Sequence, residues 1–130
     1  MAETQTPAVG GDVIHVVEDD DAVRDALSRM LGARGFRIFA HASAIAFLDA
    51  LTQAEPGAIV TDVTMPGMSG VELLRELRAR GVGWPAVIIS GRATSRLANE
   101  AATVSATAVL DKPFEPAELV DLVQTALRGR

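Results

Sequence analysis

The sequence predicts a single α/β domain in which a parallel sheet is covered by helices on both faces. Three observations carry that expectation. Short apolar runs rich in β-branched residues alternate without a break with patterns of helical period. The connections between them are short, which in a strict βα alternation implies a parallel sheet. A chain of 130 residues, nearly half of them apolar, supplies one good core and leaves no room for a second independent domain.

Strands are expected at Val13 to Val17, Phe36 to Ala40, Ala58 to Thr61, Ala86 to Ser90 and Thr107 to Leu110. Between them, Val23, Ala26, Leu27, Met30 and Leu31 share one helical face, as do Ile45, Leu48 and Leu51, then Val71, Leu74 and Leu77. Ser69 and Glu72 have capping-box spacing at the start of the third helix, and Gly35 and Gly81 stand where helices should end. The last helix carries Leu119, Leu122, Val123, Ala126 and Leu127, with Pro116 in its tolerant first turn. The fourth, expected over Arg92 to Ser105, has only Ala93, Leu97, Ala101 and Val104 as an apolar stripe, so it should be the least stable helix and the easiest to shift.

Composition narrows the function classes. A formal charge of -5 argues against a nucleic-acid surface, which needs clustered Lys and Arg, so any DNA binding would belong to another module. Without cysteine there is neither disulfide nor thiolate metal site. No apolar run is long enough to span a bilayer, and Met1 to Gly11 lacks the pattern of a signal peptide. The expectation is a soluble, cytoplasmic protein with a flexible tail over residues 1–11 and one domain over residues 12–130.

In an open parallel sheet the ligand site lies outside the carboxyl ends of the strands. Asp62, Ser90, the pair Asp111-Lys112 and the run Glu18-Asp19-Asp20-Asp21 all fall at such ends. Asp20 and Asp21 read as acids that complement and cap a helix N-terminus. Glu18 and Asp19 do not, because adjacent carboxylates at the end of a buried strand repel unless a cation sits between them. With Asp62 they offer hard oxygen ligands suited to Mg²⁺. Lys112 reads either as a surface lysine with a buried stem or as an ammonium that reaches back to balance the acids and bind a phosphoryl oxygen. Ser90 reads either as a turn residue before Gly91 or as a hydroxyl donor to the same group.

The segments Val16-Val17-Glu18-Asp19-Asp20, Thr61 to Gly70 with its Met65-Pro66-Gly67-Met68-Ser69-Gly70 loop, Ile88-Ile89-Ser90-Gly91 and Asp111-Lys112-Pro113-Phe114 closely resemble the receiver domain of two-component response regulators, nearest to FixJ-type receivers. The resemblance covers about residues 12 to 128. It implies a flavodoxin-like (CheY-like) five-stranded sheet of order 2-1-3-4-5 with five helices, and a cis peptide before Pro113. It further implies Asp62 as phosphoacceptor, and Glu18, Asp19, Asp62 and the backbone carbonyl of Thr64 as Mg²⁺ ligands. Lys112 would pair with the phosphoryl group, Ser90 would be the switch hydroxyl, and Thr64 and Arg92 would tune hydrolysis. The implied phosphodonor is a sensor histidine kinase or a histidine phosphotransfer protein.

Two positions depart from the family pattern. Val109 stands where an aromatic residue usually swings inward on activation. Thr103-Val104-Ser105-Ala106 replaces the usual Lys-Ala-Gly-Ala, so the turn lacks its glycine and a rearranged helix end is expected. The chemistry at Asp62 is unaffected by either; the aromatic relay to the output face is put in question. His15, His41 and Trp84 read as packing residues, with no spacing that suggests a metal or catalytic pair.

The expected function is therefore a stand-alone phospho-acceptor switch, with self-phosphorylation and self-dephosphorylation as its only chemistry. Thr64 stands where aspartyl-phosphate hydrolases carry a second acid, so turnover of an external substrate is not expected. The alternatives are a non-phosphorylated interaction module on the same fold and the regulatory half of a longer DNA-binding regulator. A phosphorylation-dependent homodimer is expected only if activation reaches the fourth-helix face despite Val109, with Arg92, Arg96 and acids of the last helix as rim charges.

Overall fold

A computed structural model describes residues 12–129, so the tail expected over residues 1–11 lies outside the described residues. The strands are β1 (Val13–Val17), β2 (Arg37–His41), β3 (Ala58–Asp62), β4 (Ala86–Ser90) and β5 (Ala108–Asp111). The helices are α1 (Asp21–Gly32), α2 (Ala44–Ala50, continued by a 3₁₀ turn Leu51–Gln53), α3 (Gly70–Ala79), α4 (Ser95–Thr103) and α5 (Pro116–Arg128). The five strands form one sheet of order β2-β1-β3-β4-β5, each pair parallel.

Every residue of β1 and of β4 is buried, as expected of strands covered on both faces. Ile14, Val16, Val60 and Ile89 face one way and pack with Leu27 and Leu31 of α1 and Leu119 and Val123 of α5. Val17, Ile59 and Ile88 face the other way, against Phe47 of α2, Leu74 and Leu77 of α3 and Leu97 of α4. The alternation of side chains along each strand thus divides the core in two.

Local sequence sets most element ends. Asp20 caps α1 by accepting from the Val23 N–H, Ser43 caps α2 through Ala46, and the Ser69–Glu72 capping box closes the start of α3. Gly35 and Gly81 adopt φ of 96° and 80°, the left-handed conformation that ends a helix cheaply at glycine. The peptide before Pro113 is cis.

Four elements differ in their bounds from the sequence expectation. β2 and β5 lie one residue further along the chain than their apolar runs, and Asp62 is the last residue of β3 rather than the first beyond it. Pairing with the neighbouring strand, Val17 with His41 and Ser90 with Asp111, sets those ends, not hydrophobicity. The fourth helix is shorter than Arg92 to Ser105. The Arg92 N–H donates to the Ser90 hydroxyl and the Ala93 N–H to the Asp111 carboxylate, so those residues belong to the loop, and Thr94 caps the helix at Leu97. Its buried side chains are only Leu97 and Ala101, in keeping with the weak stripe.

The expected rearrangement of the α4 end does not occur: Ser105 takes the glycine's left-handed place, and the Ala106 N–H closes on the Ala101 carbonyl at 3.0 Å. Ser105 has φ of 56°, the one non-glycine in the left-handed region among the described residues. Arg78 of α3 holds this turn: its Nε donates to the Val104 carbonyl at 2.8 Å and its Nη2 to that of Ser105 at 3.3 Å. Its Nη1 donates to Val82 at 2.9 Å and Trp84 at 2.8 Å. One guanidinium thus ties two loops together, and burial lowers its pKa.

Candidate functional site

β1 and β3 are neighbours, with Val17 opposite Thr61, so the residues that follow them meet at the carboxyl rim. Glu18, Asp19 and Asp62 each bring a carboxylate oxygen within 4.8 Å of the others. Glu18 is buried, at 3% exposure, whereas Asp19 is exposed and Asp62 half-buried. Burial pushes the Glu18 carboxyl up to about 7; the Asp62 charge adds to the rise and the Asp20 N–H, donating to Oε2 at 3.0 Å, opposes it. Asp20 and Asp21 stand apart from the cluster, Asp20 as the cap of α1 and Asp21 paired with Arg24 at 2.6 Å.

The Lys112 ammonium lies 3.6 Å from Asp62 Oδ2. Its position follows from β5 lying against β4, where the Lys112 N–H donates to the Ser90 carbonyl at 2.8 Å. Ser90 is buried at the end of β4, its hydroxyl accepting from the Arg92 N–H at 2.9 Å. Thr64 is exposed and its N–H approaches Asp62 Oδ1 at 3.4 Å. The loop after Asp62 is closed by the Gly70 N–H donating to the Val63 carbonyl at 2.9 Å, and a Cβ on Gly70 would collide with the Asp62 carbonyl oxygen. Only glycine permits that approach.

Three carboxylates facing one ammonium leave excess negative charge, and every side-chain donor in the cluster is a hard oxygen. The donor set fits a divalent cation such as Mg²⁺, which prefers oxygen ligands and shares its shell with phosphate.

Each predicted site residue therefore lies at one rim, apart from Val109, which is half-buried one turn of the pleat back along β5 and packs on the α2–α3–α4 core. Arg24 was not foreseen. Its Nη1 donates to the Glu18 carbonyl at 3.0 Å, steadying the backbone that presents Glu18 and Asp19, and nothing in the spacing of a helical arginine announces such a reach.

The two histidines are packing residues, as read from the sequence, but they also pair. His15 and His41 meet, His15 Nδ1 to His41 Nε2 at 3.1 Å, and His15 Nε2 reaches the Glu55 carbonyl at 2.8 Å. His15 stacks on Trp84, with ring centroids 5.4 Å apart, and is only 1% exposed. Burial drives both imidazoles toward the neutral form, His41 to about 4. A separation of 26 residues gave no hint of this pair; the parallel register, with His15 opposite Phe39, places His41 two residues on and on the same face.

Comparison with known proteins agrees with this geometry. The family model described as the response regulator receiver domain matches residues 14–124. The transcriptional regulatory protein FixJ of Azorhizobium caulinodans is 45% identical over 114 residues, covering 88% of this chain and 54% of the relative. FixJ of Bradyrhizobium diazoefficiens is 40% identical over 115 residues, covering 88% and 56%. The chain thus spans about half the length of these curated relatives. Among solved structures, that of FixJ-N superposes with a TM-score of 0.85 at 36% identity, over 92% of this chain and 95% of the other. The chemotaxis protein CheY4 of Vibrio cholerae superposes with a TM-score of 0.83 at 26% identity, over 88% and 98%.

Proposed function

Because this chain belongs to the response regulator receiver domain family, we propose that it is a phospho-acceptor switch in which Asp62 takes a phosphoryl group from a histidine kinase or histidine phosphotransfer protein. The observation that carries this reading is the gathering of Glu18, Asp19 and Asp62 at one rim with the Lys112 ammonium 3.6 Å from Asp62. An isolated cluster of acids would be repulsive; one paired with a free-ended lysine at the mouth of a sheet is suited to an anionic ligand.

In the proposed reaction an Asp62 carboxylate oxygen attacks phosphorus, the P–N bond of the phosphohistidine breaks, and the imidazole leaves with a proton from solvent. The product is an acyl phosphate, which water later cleaves to restore Asp62 and release inorganic phosphate. Lys112 offers a positive charge to the phosphoryl oxygens as they approach. The Ser90 hydroxyl already accepts the Arg92 N–H, so its own proton is free to donate to the same group. A Mg²⁺ ion held by Glu18, Asp19, Asp62 and the Thr64 carbonyl would supply further neutralisation of phosphoryl charge. Thr64 and Arg92, two residues after Asp62 and after Ser90, would tune the rate of that hydrolysis, and the only turnover proposed is the chain's own phosphorylation and dephosphorylation.

A second reading, a non-phosphorylated interaction module, is favoured by Val109 and by the α4 end that Arg78 holds. Acetyl phosphate with Mg²⁺ separates the two. Intact mass should rise by one phosphoryl group in wild type, and by none in Asp62→Ala or when the metal is chelated. Failure of wild type to label with acetyl phosphate or with a phosphorylated histidine donor would sink the switch.

A further inference from the structure

We propose that His15 and His41 form a second metal site, for a divalent ion of borderline softness such as Zn²⁺, Ni²⁺ or Cu²⁺, separate from the carboxylate cluster around Asp62. The tautomers support it. A carbonyl only accepts, so the contact at 2.8 Å with the Glu55 carbonyl requires the proton on His15 Nε2, leaving a lone pair on Nδ1. Ligand histidines are oriented in this way, by giving the other ring N–H to a carbonyl or carboxylate. Nδ1 then accepts the His41 Nε2–H across 3.1 Å, and His41 binds an ion through Nε2 by carrying that proton on Nδ1 instead.

The nitrogens stand close to the separation of two ligands on one ion, though not at its angle. Two imidazole nitrogens bound to a tetrahedral Zn²⁺ at the usual ~2.0–2.1 Å stand roughly 3.3 Å apart. The ring centroids, 5.3 Å apart, show the rings meeting nearly end to end, as in a hydrogen-bonded pair, so an ion enters only when His41 draws back and turns, its Nε2 proton having moved to Nδ1. His41, half-buried with its ring centroid 4.8 Å from that of Phe47, is the ring that must turn; His15, 1% exposed and stacked on Trp84, stays in place. Beside the pair opens a cavity of about 220 Å³, lined also by Phe39, Gln53 and Glu55. It leaves room for water to complete the coordination, while the Glu55 carboxylate remains paired with Arg37 at 2.6 and 2.8 Å. A neutral nitrogen pair on two adjacent strands selects imidazole-seeking metals and not Mg²⁺, which the oxygen cluster suits.

The test uses the untagged full chain, excess Mg²⁺ to occupy the carboxylates, and Cu²⁺ as the probe. The chain contains only these two histidines and a single tryptophan, so both readouts are unambiguous. The expected result is an electron paramagnetic resonance spectrum with coupling to two imidazole nitrogens, and quenching of Trp84 fluorescence, both lost in His41→Gln. A spectrum with oxygen donors only, coupling to a single imidazole, or binding undiminished in His41→Gln would overturn the proposal. Thermal unfolding of His41→Gln verifies that it is folded, and the wild-type spectrum decides the matter by itself if it is not.

Discussion

Arg78→Met should destabilise the fold without touching the chemistry at Asp62. The guanidinium donates three short bonds, to Val104, Val82 and Trp84, and a longer one, at 3.3 Å, to the exposed side of Ser105. Methionine keeps most of the apolar stem and removes every donor. Three carbonyls then lose a partner at about 1 kcal/mol each, net of the hydration the guanidinium regains, for a loss of about 3 kcal/mol. In a domain of this size that lowers the melting temperature by about 10 °C. Urea unfolding followed by Trp84 fluorescence measures the loss, and amide exchange should rise most at Ser105 and Ala106, whose N–H groups close the α4 end on Ala102 and Ala101. Labelling by acetyl phosphate should persist under native conditions, because the clamp sits at the amino ends of the strands, opposite the carboxylate rim. Arg78→Lys should recover little, since a single ammonium cannot span four carbonyls. A loss below about 0.5 kcal/mol, or exchange unchanged at Ser105, would refute the view that this arginine replaces the missing glycine's contribution to the turn.

Gly70→Ala places a methyl group against the Asp62 carbonyl and 3.1 Å from the Thr61 methyl carbon, so it should cost about 1–3 kcal/mol and slow acetyl phosphate labelling about tenfold. Unchanged labelling in that variant would mean the clash is relieved away from Asp62. Stability should depend on pH through opposed groups, the two buried histidines against Glu18. His41 titrates about 4 in the fold against 6.5 when free, so the unfolded chain binds its proton first and stability falls as pH drops through that window. Glu18 titrates about 7 in the fold against 4.5, so the folded chain binds its proton first and stability rises as pH falls from about 7 toward 4.5. Glu18 should therefore offset part of the histidines' loss in wild type, and Glu18→Gln should show a loss steeper by up to ~1.4 kcal/mol per pH unit, in urea melts across that range without metal. Parallel profiles for the two proteins would count against the raised Glu18 value.

Periodicity, caps and the polar residues at strand ends were enough to place all five strands, all five helices and the rim where Glu18, Asp19, Asp62, Ser90 and Lys112 converge. These are local properties: side-chain alternation, hydrogen bonds within four residues and the rule that strand ends in a parallel sheet share one edge. The local code marked Ser105 as standing where glycine is usual, but the irregular helix end expected from it did not follow, because serine itself takes up the left-handed turn. What it did not contain is the partner of each long side chain. Arg78 reaches Val104 from 26 positions away, Arg24 reaches back to the Glu18 carbonyl, and His15 meets His41 only because β1 and β2 pair in one particular register. Chain spacing carries no record of register, so a histidine on one strand and a histidine ending another look like two unrelated packing residues until the sheet forms. The carboxylate site was legible because the topology itself gathers strand ends; the imidazole pair and the arginine clamp came from tertiary packing, which only the folded chain decides.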